Sequence, residues 1–378
     1  MPPLSPRFKC RSGLVWLLIA AAGLVPRTAA ADTSIKTRNV VIVTLDGFRW
    51  QEFFGGAEEG LIDPDVGGVR DRDTLRRRYV RESTEAKREA LLPFIWGTVA
   101  RQGQIFGDPS RQSSAVCTNG LKFSYPGYNE LFCGFGDERI TSNDKRDNHN
   151  LSVLEFLDGR PPFRGRVAAF CTWGVFPFIF RQGRNGLRVQ AGWTPIVDEP
   201  LTDQQRSTNE LIAALPRYWP DNTFDVVAWR AAREHLLRHH PRVLYISFGE
   251  TDEWGHGRRY DLYLDAAHQA DRMIQELWQM LAELPEYRES TALVLSTDHG
   301  RGGTRGNWTD HGQQVSGAEH IWIAVMGPDT PPLGVRGNAA VTQGQVAATI
   351  AQLLGEDFNA TNPRAATPLP DVVRPAPR

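Results

Sequence analysis

Five short, largely apolar runs, the first of them mostly β-branched, constrain this chain more than any other feature: 40–45, 167–172, 243–248, 292–297 and 321–326. None of them alternates polar with apolar residues, which is what a strand covered on both faces requires. Helical patterns lie between them. One covers 84–101 and is broken or restarted at Pro93; a second opens at Asn222-Thr223 and runs to about His239. The third covers 260–284, where Met273, Leu277, Leu281 and Leu284 recur at helical spacing and read as core. Alternating buried strands and helices predict an α/β fold with a mostly parallel central sheet flanked by helices on both faces. Residues 174–205 break the rhythm with aromatics and glycines and read as a lid-type insertion. From Asn359 the chain is rich in proline and alanine and reads as a loose tail.

The start of the chain reads as an address. Arg7, Lys9 and Arg11 precede an apolar stretch at 13–25 and the small residues Ala29-Ala30-Ala31, the pattern of an export signal cleaved after Ala31. That stretch falls short of the about 20 residues a membrane span needs, so no stable anchor is expected. The mature domain would then cover 32–358, with the tail at 359–378, in a secreted or periplasmic protein. Removing Arg7, Lys9, Arg11 and Arg27 makes it more acidic than the net −1 of the whole chain, and nothing in that balance calls for nucleic acid. Of the cysteines left, Cys117, Cys133 and Cys171, at most two can form an intramolecular disulfide. Cys117 and Cys133 flank the segment read below as catalytic, but the sequence does not choose the pair. No CxxC pair is present, which argues against a cysteine zinc site.

Ligands gather at the carboxyl ends of parallel strands, and here those ends deliver one kind of chemistry. The first run ends in Asp46-Gly47. The run 243–248 leads into Asp252 and, four residues on, His256. The run 292–297 ends in Asp298-His299-Gly300, and Asp310-His311-Gly312 precedes the last run. Asp and His are the oxygen and nitrogen ligands zinc takes where cysteine is absent. Each set alone has an ordinary reading as a turn or a solvated helix start; four sets at one sheet edge do not. Two divalent ions, zinc by this donor set, are the cofactors expected.

The ordered motifs Thr44-Leu45-Asp46-Gly47-Phe48-Arg49, Phe123-Ser124-Tyr125-Pro126-Gly127-Tyr128, Asp252-x-x-x-His256, Thr297-Asp298-His299-Gly300 and His311-Gly312 resemble those of the alkaline phosphatase superfamily, within it the nucleotide pyrophosphatase/phosphodiesterase branch. The resemblance spans residue 40 to about 328. It implies one ion held by Asp46, Asp298, His299 and the oxygen of Ser124, and a second held by Asp252, His256 and His311. It also implies that Ser124 is the nucleophile, at the opening of a helix with Pro126 in its first turn. Asn143 resembles the asparagine that contacts a phosphate oxygen. His320 competes with His311, which fits better because it stands in the His-Gly pair; His149, His239 and His240 belong to no motif. Ser247 stands where monoesterases with a third, magnesium, site carry glutamate, so no third ion is expected. The Cys/Ser-x-Pro-x-Arg frame of sulfatases lacks its arginine, for Tyr128 stands there.

Hydrolysis of a small phosphate ester through a phosphoserine is therefore expected, with a lean to diesters. Trp173, Phe176, Phe178 and Trp193 offer an apolar slot for a second ester group. A monoesterase would instead set Lys122 or Arg301 against the free phosphoryl oxygens. A phosphotransferase would use the same serine and ions with an alcohol acceptor, and a non-catalytic binding protein would require a lost ligand or nucleophile, which the sequence does not show.

Overall fold

The computed structural model describes residues 35–374, so the leader read at 1–31 lies outside the described residues. Its strands are β1 (Asn39–Leu45), β2 (Gln104–Phe106), β3 (Ser114–Val116), β4 (Val167–Cys171), β5 (Arg188–Ala191), β6 (Val243–Phe248), β7 (Thr291–Ser296), β8 (Ile323–Met326), β9 (Gly334–Val335) and β10 (Ala340–Thr342). Eight form one sheet in the order β5-β4-β6-β1-β7-β8-β2-β9, and β3 pairs with β10 in a second sheet. β5, β4, β6, β1 and β7 run parallel, while β8 is antiparallel to both β7 and β2.

The uninterrupted apolar runs have a direct cause. In β1, Val41, Val43 and Leu45 enter the core on one face of the sheet, and Val40 and Ile42 enter the core on the other. β6 and β7 divide in the same way: Leu244, Ile246, Leu293 and Leu295 lie on the first face, and Val243, Tyr245, Ala292 and Val294 on the second. With both faces covered, neither parity of the side-chain alternation can be polar.

The helices follow the sequence reading closely. Ser83 caps Thr84–Leu91 by accepting from Ala86 N–H, the helix stops before Pro93, and the restart passes through a π-helical turn at Ile95–Val99. Asp271, buried, accepts the Phe94 and Ile95 N–H groups at 2.8 and 2.9 Å and so satisfies the donors that the proline break leaves free. Asp225–His239 and Tyr260–Glu283 match the other two patterns. No described helix is long and apolar enough to cross a membrane.

Two expectations change, and the cysteine pairing that the sequence left open is answered. Residues 174–205 hold two short helices, Phe176–Ile179 and Gln182–Asn185, and then β5, an edge strand of the main sheet that is too short to be read from periodicity. The tail is not loose through residue 374. Leu369 and Val372 are buried, Asn362 Nδ2 donates to Cys133 O, and Ala366 N–H donates to Gly134 O. Two apolar residues in a proline-rich stretch suffice to anchor it. Cys117, Cys133 and Cys171 are all free and buried on separate elements, so no bridge joins Cys117 to Cys133. The ends of the described chain meet: Thr37 N–H donates to Asp329 Oδ2 at 2.7 Å and Arg374 N–H to Asp329 O at 3.1 Å.

Behind the site, Arg49 is wholly buried and paired with Glu52, also wholly buried, and with Glu58 at 2.9 Å; Tyr260 OH donates to Glu52 as well. Removing one partner strands a buried charge. Glu52→Ala should lower unfolding free energy by about 3 kcal/mol in urea titration, and a loss below about 1 kcal/mol would show that Glu58 alone satisfies Arg49.

Candidate active site

β1 lies between β6 and β7, with Leu45 opposite Phe248 and Thr44 opposite Ser296. The chain leaving each strand therefore reaches the same edge: Asp46 from β1, the helix Glu250–His256 from β6, and Asp298-His299 from β7. Asp252 and His256, one helical turn apart, sit 3.2 Å from each other through Oδ2 and Nε2. The loop after β7 brings His311 Nε2 to 2.9 Å from His256 Nε2 and 3.7 Å from Asp252 Oδ1. All the metal-ligand residues expected from the sequence thus meet at one place.

Ser124 opens the helix Ser124–Cys133, and its Oγ is 3.4 Å from His299 Nε2. The same nitrogen lies 3.6 Å from Asp46 Oδ1 and 3.3 Å from Asp298 Oδ2. The remaining oxygen of each carboxylate is already used: Asp46 Oδ2 accepts from Tyr128 OH at 2.9 Å, and Asp298 Oδ1 from Gly47 N–H at 3.0 Å. Asp46 Oδ1 and Asp298 Oδ2 are buried with no hydrogen-bond partner. Anionic oxygens in that state are costly unless a cation takes them. Asp46, Asp298 and His299 offer three ligand atoms within 4.8 Å of one another, and so do Asp252, His299 and His311. The donor set fits divalent ions. Two of the imidazoles are also oriented to ligate through one nitrogen. His299 Nδ1 bonds Gly300 O at 2.9 Å and His311 Nδ1 bonds Lys122 O at 3.2 Å, leaving Nε2 of both for the site.

The electrostatics agree. Burial pushes the Asp46 carboxyl well above its ordinary range, and Asp298 and Asp252 add to that. Burial likewise lifts Asp298 to about 7. Burial also pushes Asp252 upward, but Arg301, His256 and His311 outweigh it and hold that carboxyl well below the usual value. Burial drives His299 down to about 4, so it is a neutral imidazole at neutral pH.

Several roles differ from those expected. Asn143 is exposed and its Oδ1 accepts the Tyr125 N–H at 3.0 Å, while its Nδ2 makes no hydrogen bond among the described residues. Residue 126 is proline, so the Ser124 N–H is the first-turn donor left at the helix start. Lys122 donates to Val315 O at 2.9 Å and Glu319 at 3.2 Å, and Arg301 is wholly buried with its donors turned to protein oxygens. Arg301 is thereby turned away from the site, and Lys122 is drawn to Val315 and Glu319. Phe176 and Trp193 are buried in the core; Trp173 and Phe178 keep partial exposure. His320 is half exposed beside Glu319, outside the ligand groups, and His149, His239 and His240 lie elsewhere. A further group, Asp198, His235 and His239, surrounds a carboxylate already paired with Arg188 at 2.7 Å and bonded by Gln205 at 2.6 Å. Sequence reasoning passed over Tyr128 and Thr251, whose hydroxyls hold Asp46 Oδ2 and Asp46 O. Tyr128 could have been found: four residues after Ser124 on one helix, it shares the serine's face. Ser247, expected in place of a glutamate, lies with its Oγ 3.4 Å from Tyr128 OH.

The family model described as Type I phosphodiesterase / nucleotide pyrophosphatase matches residues 66–355, which takes in every site residue except Asp46. No curated protein sequence matches the chain. Solved structures share its fold. Alkaline phosphatase PafA is 11% identical with a TM-score of 0.58, over 89% of this chain and 99% of its own. The lipoteichoic acid synthase LtaP from Listeria monocytogenes is 11% identical with a TM-score of 0.54, over 86% and 74%. A 2-O GAG sulfatase is 11% identical with a TM-score of 0.51, over 89% and 74%.

The raised carboxyls set the direction of two pH effects. Asp298, with a folded value of about 7 against an ordinary 3.8, binds more protons folded than unfolded in that window, so the metal-free protein should lose stability as pH rises through it. A divalent ion takes the carboxylate form, so uptake releases protons and tightens over the same window. Thermal unfolding across pH with and without zinc checks the first effect. Calorimetric zinc titration in two buffers of different ionisation enthalpy checks the second, and proton-neutral uptake at pH 7 would contradict it.

Proposed function

Because the chain belongs to the type I phosphodiesterase/nucleotide pyrophosphatase family, a metal-dependent family of phosphoester hydrolases, we propose that it hydrolyses small phosphate diesters with two zinc ions and Ser124 as nucleophile. The observation that carries this reading is the meeting of Ser124 Oγ with His299 and the two partnerless carboxylate oxygens of Asp46 and Asp298. Asp46, Asp298, His299 and Ser124 would hold one ion and Asp252, His256 and His311 the other. Bound there, the pair supplies Lewis acidity that lowers the serine hydroxyl's pKa and offsets the charge growing on the phosphoryl and leaving oxygens.

The chain's own groups do the rest. In this reading Ser124 Oγ, at the helix start, attacks in line, and the Ser124 N–H and Asn143 Nδ2 would receive a phosphoryl oxygen; the hydrogen bond from Tyr125 N–H to Asn143 Oδ1 supports the second role by keeping Asn143 beside the helix start. The Ser124 hydroxyl proton passes to solvent water as Oγ attacks; the Oγ–P bond forms, the bond to the leaving alkoxide breaks, and the alkoxide, which would depart on the side of Asp252, His256 and His311, takes a proton from that water. Water then attacks phosphorus, the Oγ–P bond breaks, and Ser124 is regenerated as the remaining monoester leaves. Two displacements give net retention at phosphorus.

The lean to diesters rests on the two cations named above. Arg301 spends its donors on buried protein oxygens and Lys122 is drawn to Val315 O and Glu319, which supports a site without a guanidinium free for the two oxygens of a monoester. Trp173 and Phe178 remain as partly exposed apolar surface for a second ester group. The purified protein should turn over bis-p-nitrophenyl phosphate faster than p-nitrophenyl phosphate, with zinc required. Ser124→Ala should lower kcat by at least about a thousandfold. No turnover of either ester with zinc bound would sink the hydrolase reading for simple esters. A chiral, isotope-labelled phosphodiester should give product with retained configuration; inversion would remove the phosphoserine.

A further inference from the structure

We propose that Arg301 is a positioning residue, set to hold the three ligand-bearing loops in one geometry and to keep the ion of Asp252, His256 and His311 in place. The proposal rests on the two-ion reading above.

Arg301 is wholly buried. Its Nε donates to Gly47 O at 3.2 Å, one residue beyond Asp46. Its Nη1 donates to Thr309 O, two residues before His311. Its Nη2 donates to Asp252 O at 2.8 Å and to Asp252 Oδ1. One planar group thus ties together the loops after β1, β6 and β7, and only a guanidinium serves these diverging acceptors at once. Because Arg301 takes Oδ1, the other oxygen of Asp252 is the one turned to His256, at 3.2 Å.

Two glycines, Gly47 in the loop after β1 and Gly255 in the helix Glu250–His256, keep room for this group. A Cβ at Gly47 would lie 2.5 Å from Asp252 Oδ1 and 3.0 Å from Arg301 Nε, at a φ of +57° that side chains rarely adopt. A Cβ at Gly255 would lie 2.8 Å from Arg301 Cζ. The sequence thus gives up side chains at two positions around one guanidinium, and burial with every nitrogen engaged rules out contact with substrate. Asp46 Oδ2, Asp298 Oδ1 and His299 Nδ1, the atoms turned away from the site, are bonded by Tyr128, Gly47 and Gly300 rather than by Arg301. The effect should therefore fall on one ion, as loss of a partner behind a metal ligand does.

The test uses the full chain as wild type, Arg301→Lys, and Gly255→Ala, which crowds the guanidinium while keeping its charge. Each is loaded with zinc and dialysed against a weak chelator; zinc per chain, thermal unfolding, and kcat and KM on bis-p-nitrophenyl phosphate are then measured. Wild type should keep two ions. Both variants should keep one, with the second bound about 10- to 100-fold more weakly, kcat reduced by a similar factor, KM little changed, and kcat partly restored by excess zinc. Variants that keep two ions at wild-type affinity overturn the proposal while leaving the two-ion reading intact. Loss of both ions together with the fold, in both variants, also overturns it, because the role would then be structural. Fewer than two ions in the wild type would overturn the two-ion reading itself, and this inference with it.

Discussion

Three carboxylates share one sheet edge because β1 is hydrogen-bonded between β6 and β7. Asp46, Asp252 and Asp298 all lie where those strands end, and their mutual repulsion together with burial lifts two of them far above the ordinary range. Such a concentration of negative charge is tolerable only with compensating groups around it. Much of the surrounding architecture serves that need. Tyr128 and the Gly47 N–H each take one carboxylate oxygen, Arg301 takes another, and three imidazoles face what remains. Divalent cations held by these Asp and His groups would complete the balance, and metal uptake and fold stability should then be linked in this protein.

Ser124 is held as firmly as the Asp and His cluster it faces. The helix Ser124–Cys133 is buried along its whole length. Glu130 on that helix accepts from the backbone and side chains of Thr118 and Asn119 at 2.8–2.9 Å, fixing the segment that leads into Ser124. Below it, Tyr128 stacks edge-on against Phe176 with ring centroids 4.6 Å apart. Lys122 pins the opposite wall to Val315 and Glu319 and, through its carbonyl, orients His311. The nucleophilic role proposed for Ser124 would need this rigidity, since displacement of an ångström is costly in rate.

What was legible in the sequence was whatever burial or ligand chemistry forces on residue types. The five long apolar runs became the central strands because a strand with cores on both faces has no polar parity to hide. Asp46, Asp252, His256, Asp298, His299 and His311 were readable because they follow strands that end at one edge. The short strands β2, β3, β5, β9 and β10 were not, since two to four residues carry no measurable periodicity. The role of Arg301 stayed open for a different reason: a positive charge beside a motif reads the same whether it faces phosphate or carbonyl oxygens, and only its four acceptors decide. Phe176 and Trp193 likewise looked like a slot and proved to be core, because an aromatic run has no polarity pattern to tell a wall from a filling.

The two ends of the described chain bond the same residue, Asp329, which follows β8. Since β8 runs antiparallel to β7, Asp329 stands at the edge of the sheet away from Asp298. The fold is thus almost a closed ring whose seam lies behind the chemistry. Its architecture depends on the cyclic order of its strands more than on where that order is cut. A chain joined across this seam and reopened in an exposed loop such as 144–147 would keep every strand neighbour it has now.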